Sequence, residues 1–77
     1  MTRLNYAMQE VADEYGRATK SYPPMNTPHE GYAVILEELE ELWEQVRHKQ
    51  IDHSKALMRD EARQVAAMAI RFMVDLT

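Results

Sequence analysis

Residues 21–30 read Ser21-Tyr22-Pro23-Pro24-Met25-Asn26-Thr27-Pro28-His29-Glu30, and this stretch divides the chain. Two successive prolines force an extended backbone and withhold two N–H donors, so a helix arriving from the N-terminal side stops here. A new helix then starts: Thr27 suits the N-cap, Pro28 the first helical position, and Glu30 completes a capping box. Upstream, Leu4, Met8, Val11, Tyr15 and Ala18 recur at spacings of three and four. Asn5, Gln9, Asp13 and Arg17 fall on the other side, which predicts an amphipathic helix over about 3–20. Downstream, Tyr32, Ile35, Leu36, Leu39, Leu42, Trp43 and Val46 give the apolar face of a second helix over 28–49. A second cap signal follows in Gln50-Ile51-Asp52-His53-Ser54, with Asp52 or Ser54 as the N-cap. The third helix is predicted over 53–75, with Leu57, Met58, Val65, Met68, Ala69 and Phe72 on its main face and Ala66, Ile70 and Met73 widening it.

The fold class expected is therefore all-α, a single domain over 1–77 in which residues 21–27 form a Pro-rich linker. Helices of twenty-odd residues are about 30 Å long, the full diameter of a globule this size. Helices two and three are expected to fold back as a long antiparallel hairpin about residues 50–52, with helix one across or beside it. The apolar surface is wider than one hairpin can cover, which predicts a homo-oligomeric helical bundle, a dimer or higher.

Composition excludes several classes. The 77 residues contain Cys 0, Gly 2 and Pro 3, so a disulfide scaffold, a zinc ribbon and a thiol nucleophile are ruled out. No apolar run reaches the ~18 residues of a membrane span and no signal peptide opens the chain, so a cytoplasmic setting without a membrane partner is expected. There is no glycine-rich phosphate loop and no informatively spaced Ser/His/Asp set, and His48 and His53 are too isolated for zinc. The net charge of −4 argues against DNA as a partner. That charge is local. Residues 1–20 and 51–77 are each balanced, while 21–50 carry six glutamates against Arg47 and Lys49.

Five of the six lie in Glu37-Glu38-Leu39-Glu40-Glu41-Leu42-Trp43-Glu44. One reading is a solvated helix face. Glu61 supplies another: on a helical wheel it falls at the centre of the third helix's apolar stripe, between Leu57, Met58, Val65, Met68 and Phe72. A carboxylate drawn out of water is neutralised, paired or metal-bound. Folding the hairpin about 50–52 brings residue 41 level with 61 and residues 37–38 level with 64. Glu37, Glu38, Glu41 and Glu61, with Gln64 one turn on, then make an inter-helical oxygen cluster of the kind that suits Mg²⁺ or Mn²⁺. The alternative is that Glu61 pairs with a neighbouring arginine, or that the stripe is broken at the bundle end.

The same residues resemble the all-α nucleoside triphosphate pyrophosphohydrolases of the MazG-like superfamily. Those carry Glu-Glu-x-x-Glu on one helix and Glu-x-x-Asp on the next, the acids holding Mg²⁺ against a nucleotide's phosphates. Glu37-Glu38-Leu39-Glu40-Glu41 matches the first half, and Glu61-Ala62-Arg63-Gln64 occupies the second with glutamine in place of the aspartate. Family members also continue past the position of Thr77 into residues that bind phosphates and base. The resemblance thus implies a reduced relative with a weakened metal site. A second resemblance, carried by Tyr22-Pro23-Pro24 and His29-Glu30, is to small helical phage proteins that sequester cyclic-nucleotide immune signals. It implies a short oligomer in a bacterial or phage-infected cell.

Candidate ligand-binding residues follow. His29 lies in the first turn of helix two, where free N–H groups favour anions, or else faces solvent. Lys20, Tyr22 and Arg17 precede the same spot and would close a phosphate pocket, or else form an exposed linker. Arg59 and Arg63 stand on a basic strip with Arg71, either gripping a nucleotide or pairing with acids of helix one or of a partner subunit. Three functions compete: a non-catalytic nucleotide or cyclic-nucleotide sequestering oligomer, a minimal Mg²⁺-dependent pyrophosphohydrolase, and a helical module that binds and inhibits another protein.

Overall fold

A computed structural model describes residues 1–48 and 54–77. Three helices make up these residues, α1 (Arg3–Ser21), α2 (Pro28–Arg47) and α3 (Ser54–Leu76), with no strand among them. No described helix is long and apolar enough to cross a membrane. The expected turn at 50–52, the cap at Asp52, and the ends of helices two and three at Lys49 and His53 lie outside the described residues.

The starts of α1 and α2 are written in local hydrogen bonds. Thr2 caps α1 by accepting from the Asn5 N–H at 3.0 Å, and the Asn5 amide oxygen accepts from the Thr2 N–H at 3.1 Å. Asparagine thus serves the role that Glu or Gln fills in most capping boxes. Thr27 caps α2 as expected, accepting from the Glu30 N–H at 3.1 Å. The Glu30 carboxylate reaches one residue further back than a capping box requires, to the Asn26 N–H at 3.3 Å.

α3 is the central element. It packs against both α1 and α2, whose backbones do not approach each other. The core is small: Ala18 from α1, Met25 from the linker, and Ala67 and Met68 from α3 are buried, with Val11, Val34, Ile35, Phe72 and Leu76 packed around them. Met25 is therefore a core residue at a non-helical position. The linker is tied down on either side of it: the Met25 N–H donates to Asp75 Oδ2 at 3.0 Å, and Arg71 donates to the Pro23 carbonyl at 2.7 Å. These bonds hold the extended Pro23–Pro24 segment against the last turns of α3.

The α2–α3 contact needs a residue without a side chain at position 31. A Cβ on Gly31 would lie 2.6 Å from Phe72 Cδ2 and 2.8 Å from Leu76 Cδ1, whereas nothing comes within 4 Å of one on Gly16. Alanine stabilises a helix interior by about 1 kcal/mol over glycine, and overpacking a core costs about 1–3 kcal/mol. Gly16→Ala is therefore expected to raise the thermal midpoint, and Gly31→Ala to lower it by the equivalent of about 1–2 kcal/mol. Circular-dichroism melts of the two variants check both signs.

Candidate carboxylate site and adjoining cavity

Glu38 and Glu41 stand one turn apart on α2, and Glu38 turns toward α3, where Glu61 sits half-buried between Met58, Gln64 and Val65. One carboxylate oxygen from each of Glu38, Glu41 and Glu61 lies within 4.8 Å of the others. Of the remaining acids in the run, Glu44 is engaged locally: Arg47 donates to it at 2.9 and 3.1 Å, and His48 Nε2 lies 3.6 Å away. Glu37 is exposed and faces the neighbouring cavity.

Crowding three acids without a cation changes their proton affinity. Burial first, then the charge and hydrogen bonding of Glu41, then the charges of Glu61 and Glu37 push the Glu38 carboxyl up to about 7. Glu61 is also raised, by burial first and then by the charge and hydrogen bonding of Glu41. No ion pair to Glu38, Glu41 or Glu61 is formed among the described residues. The expected alternative of an arginine partner for Glu61 is thus not seen there. The donor set fits a small divalent cation. Bonds of about 2.0–2.1 Å place adjacent ligand oxygens of an octahedral ion about 2.9 Å apart and opposite ones about 4.2 Å apart. Three carboxylates would have to draw closer to share one ion, and would leave further positions for water or phosphate oxygens.

A cavity of about 620 Å³ adjoins this cluster, with Glu38 on its wall. It exists because α1 and α2 splay apart over α3. α1 contributes Glu14, Arg17, Ala18 and Ser21; the linker Tyr22, Pro23 and Met25; α2 Glu30, Val34, Glu37 and Glu38; α3 Gln64, Met68 and Arg71. Its volume lies within the roughly 300–1,000 Å³ of small-molecule sites.

The sequence-predicted residues divide between this cavity and other places. Tyr22, Glu37, Glu38 and Gln64 line it, as does Arg17. Lys20 is exposed in the last turn of α1 and His29 in the first turn of α2, and neither is on the cavity wall. Gln64 is engaged with α1, where its hydrogen bonding helps Arg17 hold the Glu14 carboxyl below its usual range. Arg59 and Arg63 go elsewhere. Arg59 pairs with Glu10, while Arg63 lies 3.2 Å from Glu10, 3.4 Å from Glu14 and 3.0 Å from Asp60. They tie α3 to α1, the pairing with acids of helix one that the sequence offered as their other role.

Arg71, which the sequence places on the same basic strip, is buried and lines the cavity instead. Its signal was present: it falls three residues after Met68 and four after Ala67, which places it on the buried face of α3. Comparison with known protein families, curated proteins and solved structures finds no match to this chain.

Proposed function

We propose that this chain is a small nucleotide-binding helical oligomer that holds a nucleotide or cyclic-nucleotide signal without hydrolysing it. The observation that carries this reading is the junction at Glu38. That one side chain belongs both to a cluster of three close carboxylates and to the wall of a cavity of small-molecule size. Mg²⁺ retains water and phosphate ligands beside one or two carboxylates, so a cation held by Glu38, Glu41 and Glu61 would offset their charge and turn toward a phosphorylated ligand in the cavity. Gln64 in place of an acid leaves the cluster one anionic donor short of the MazG-like pattern it resembles, which favours holding over turnover.

The antiparallel pairing of α2 with α3 is part of this reading. It is supported by the contact of position 31 with Phe72 and Leu76 at one end and of Glu38 and Glu41 with Glu61 further along. Assembly with a second copy is supported by surface. The accessible area is 5820 Å², whereas a compact monomer of 9.0 kDa exposes about 4,900 Å². The radius of gyration is 13.3 Å, against about 11.5 Å for a compact chain of this length. The excess of about 900 Å² is close to what each partner contributes to a stable interface. Tyr32, Leu36, Leu39, Trp43 and Val46 on α2 are exposed at alternating spacings of four and three. That is the seam spacing of a coiled coil, and it is where a second copy would dock.

The test is incubation with Mg²⁺ or Mn²⁺ and a panel of nucleoside triphosphates and cyclic nucleotides, with chromatography before and after heat denaturation and light scattering for mass. An intact nucleotide recovered only after denaturation, from a species heavier than one chain, is the expected result. Release of monophosphates without denaturation would make the chain a pyrophosphohydrolase. Retention of no nucleotide would leave a protein-binding module.

A further inference from the structure

An arginine drawn into a helical core ordinarily brings a carboxylate with it, because a charged group with five N–H donors is costly to strip of water. Arg71 does not. It is only 5% exposed. Its guanidinium donates to the Pro23 carbonyl at 2.7 Å and to Met68 Sδ at 3.7 Å, and its buried Nε has no acceptor among the described residues. No carboxylate is within ion-pair distance of it among the described residues. Asp75, one turn on, accepts from the Met25 N–H instead. Arg71 stands on the wall of the cavity between α1 and α2, together with Ser21 and Tyr22.

We propose that Arg71 anchors a phosphoryl group, so that the cavity takes a phosphorylated small molecule whose oxygens complete the hydrogen bonding of the buried guanidinium. The guanidinium fork sets its Nε–H beside an Nη–H, in the spacing of two oxygens on one phosphate. The cavity's carboxylates fit the same polarity. Glu14 is already paired with Arg17 and Arg63, while Glu30, Glu37 and Glu38 come from α2. A ligand therefore meets Arg71 on the α3 and linker side and a carboxylate wall on the α2 side, where a divalent cation would bridge it. This inference rests on the cavity being the ligand site proposed above, but the anchor itself needs no metal.

Inorganic pyrophosphate in EDTA is the probe, followed by calorimetry and by the Arg71 Nε–H signal in ¹H–¹⁵N spectra of the wild-type chain. The expected result is saturable binding that shifts this signal, with affinity at least about tenfold weaker in Arg71→Lys, which keeps the charge and loses the fork. An Nε–H signal unmoved at saturation would overturn the anchor, whether or not the lysine variant folds. Undiminished affinity in a folded Arg71→Lys, or succinate binding as tightly as pyrophosphate, would overturn it too. A nucleotide retained with Mg²⁺ while the Arg71 signal stays still would remove the anchor and leave the proposed function. A shifted signal with no nucleotide retained under any metal condition would do the reverse.

Discussion

Glu61→Gln is expected to abolish divalent-cation and nucleotide retention while leaving the metal-free chain as stable as the wild type, or more so. The two halves of this expectation have different physical origins. Glu61 is half-buried on α3, without a cation beside it among the described residues, and burial together with Glu41 raises its carboxyl above the usual range. A neutral isostere keeps its volume and removes charge that the empty cluster only repels. Metal binding depends on that same charge. With one of three anionic donors gone, Mn²⁺ affinity should fall at least about tenfold, since even supporting changes around metal ligands cost 10- to 100-fold. Thermal unfolding in EDTA and metal titration report the two halves separately. A large loss of stability in EDTA would instead mark Glu61 as a structural ion-pair partner.

Glu38→Gln is expected to flatten the pH dependence of stability. In the folded chain the Glu38 carboxyl titrates at about 7, while an unfolded glutamate titrates near 4.3. Between these values the folded state keeps a proton that the unfolded state has released. Folding stability therefore falls as pH rises through that window, with the penalty absent below about 4.3 and complete above about 7. Solvent around the half-buried cluster screens the effect to about 1–2 kcal/mol, or a midpoint several degrees lower at pH 8 than at pH 5. The glutamine variant should melt at nearly the same temperature at both pH values, and above the wild type at pH 8. Saturating Mg²⁺ should lift the wild type at pH 8 and leave the variant largely unchanged. A wild-type midpoint that does not fall from pH 5 to pH 8 would contradict the crowding of these three acids.

Local chemistry made the helices legible. The Pro23-Pro24 break, the Thr27 cap with Pro28 behind it, and the three-four spacing of apolar residues are all decided within a few residues. Glu61 was legible for the same reason: a charge on an apolar stripe is visible on a wheel. Partner choice was not legible. α2 is apolar on two sides. The wheel merges Ile35 and Leu42, which turn toward α3, with Tyr32, Leu36, Leu39 and Trp43, which stay exposed. Nor did local spacing reveal that α3 lies between α1 and α2. That placement sends Arg59 and Arg63 to Glu10 and Glu14 and leaves Arg71 on the cavity wall. Met25 was invisible for a related reason, since a linker residue has no periodicity to betray its burial.

The most direct measurement is a Mn²⁺ titration at pH 7, followed by electron paramagnetic resonance and proton release, on the wild type and Glu61→Gln. If Glu38, Glu41 and Glu61 form a cation site facing a phosphate-binding cavity, the wild type will take up one Mn²⁺ per chain and release protons as Glu38 ionises. Nucleotide will tighten this binding, and the glutamine variant will show neither effect. Saturable Mn²⁺ binding that is equal in both proteins, or absent from both at millimolar metal, would contradict the site.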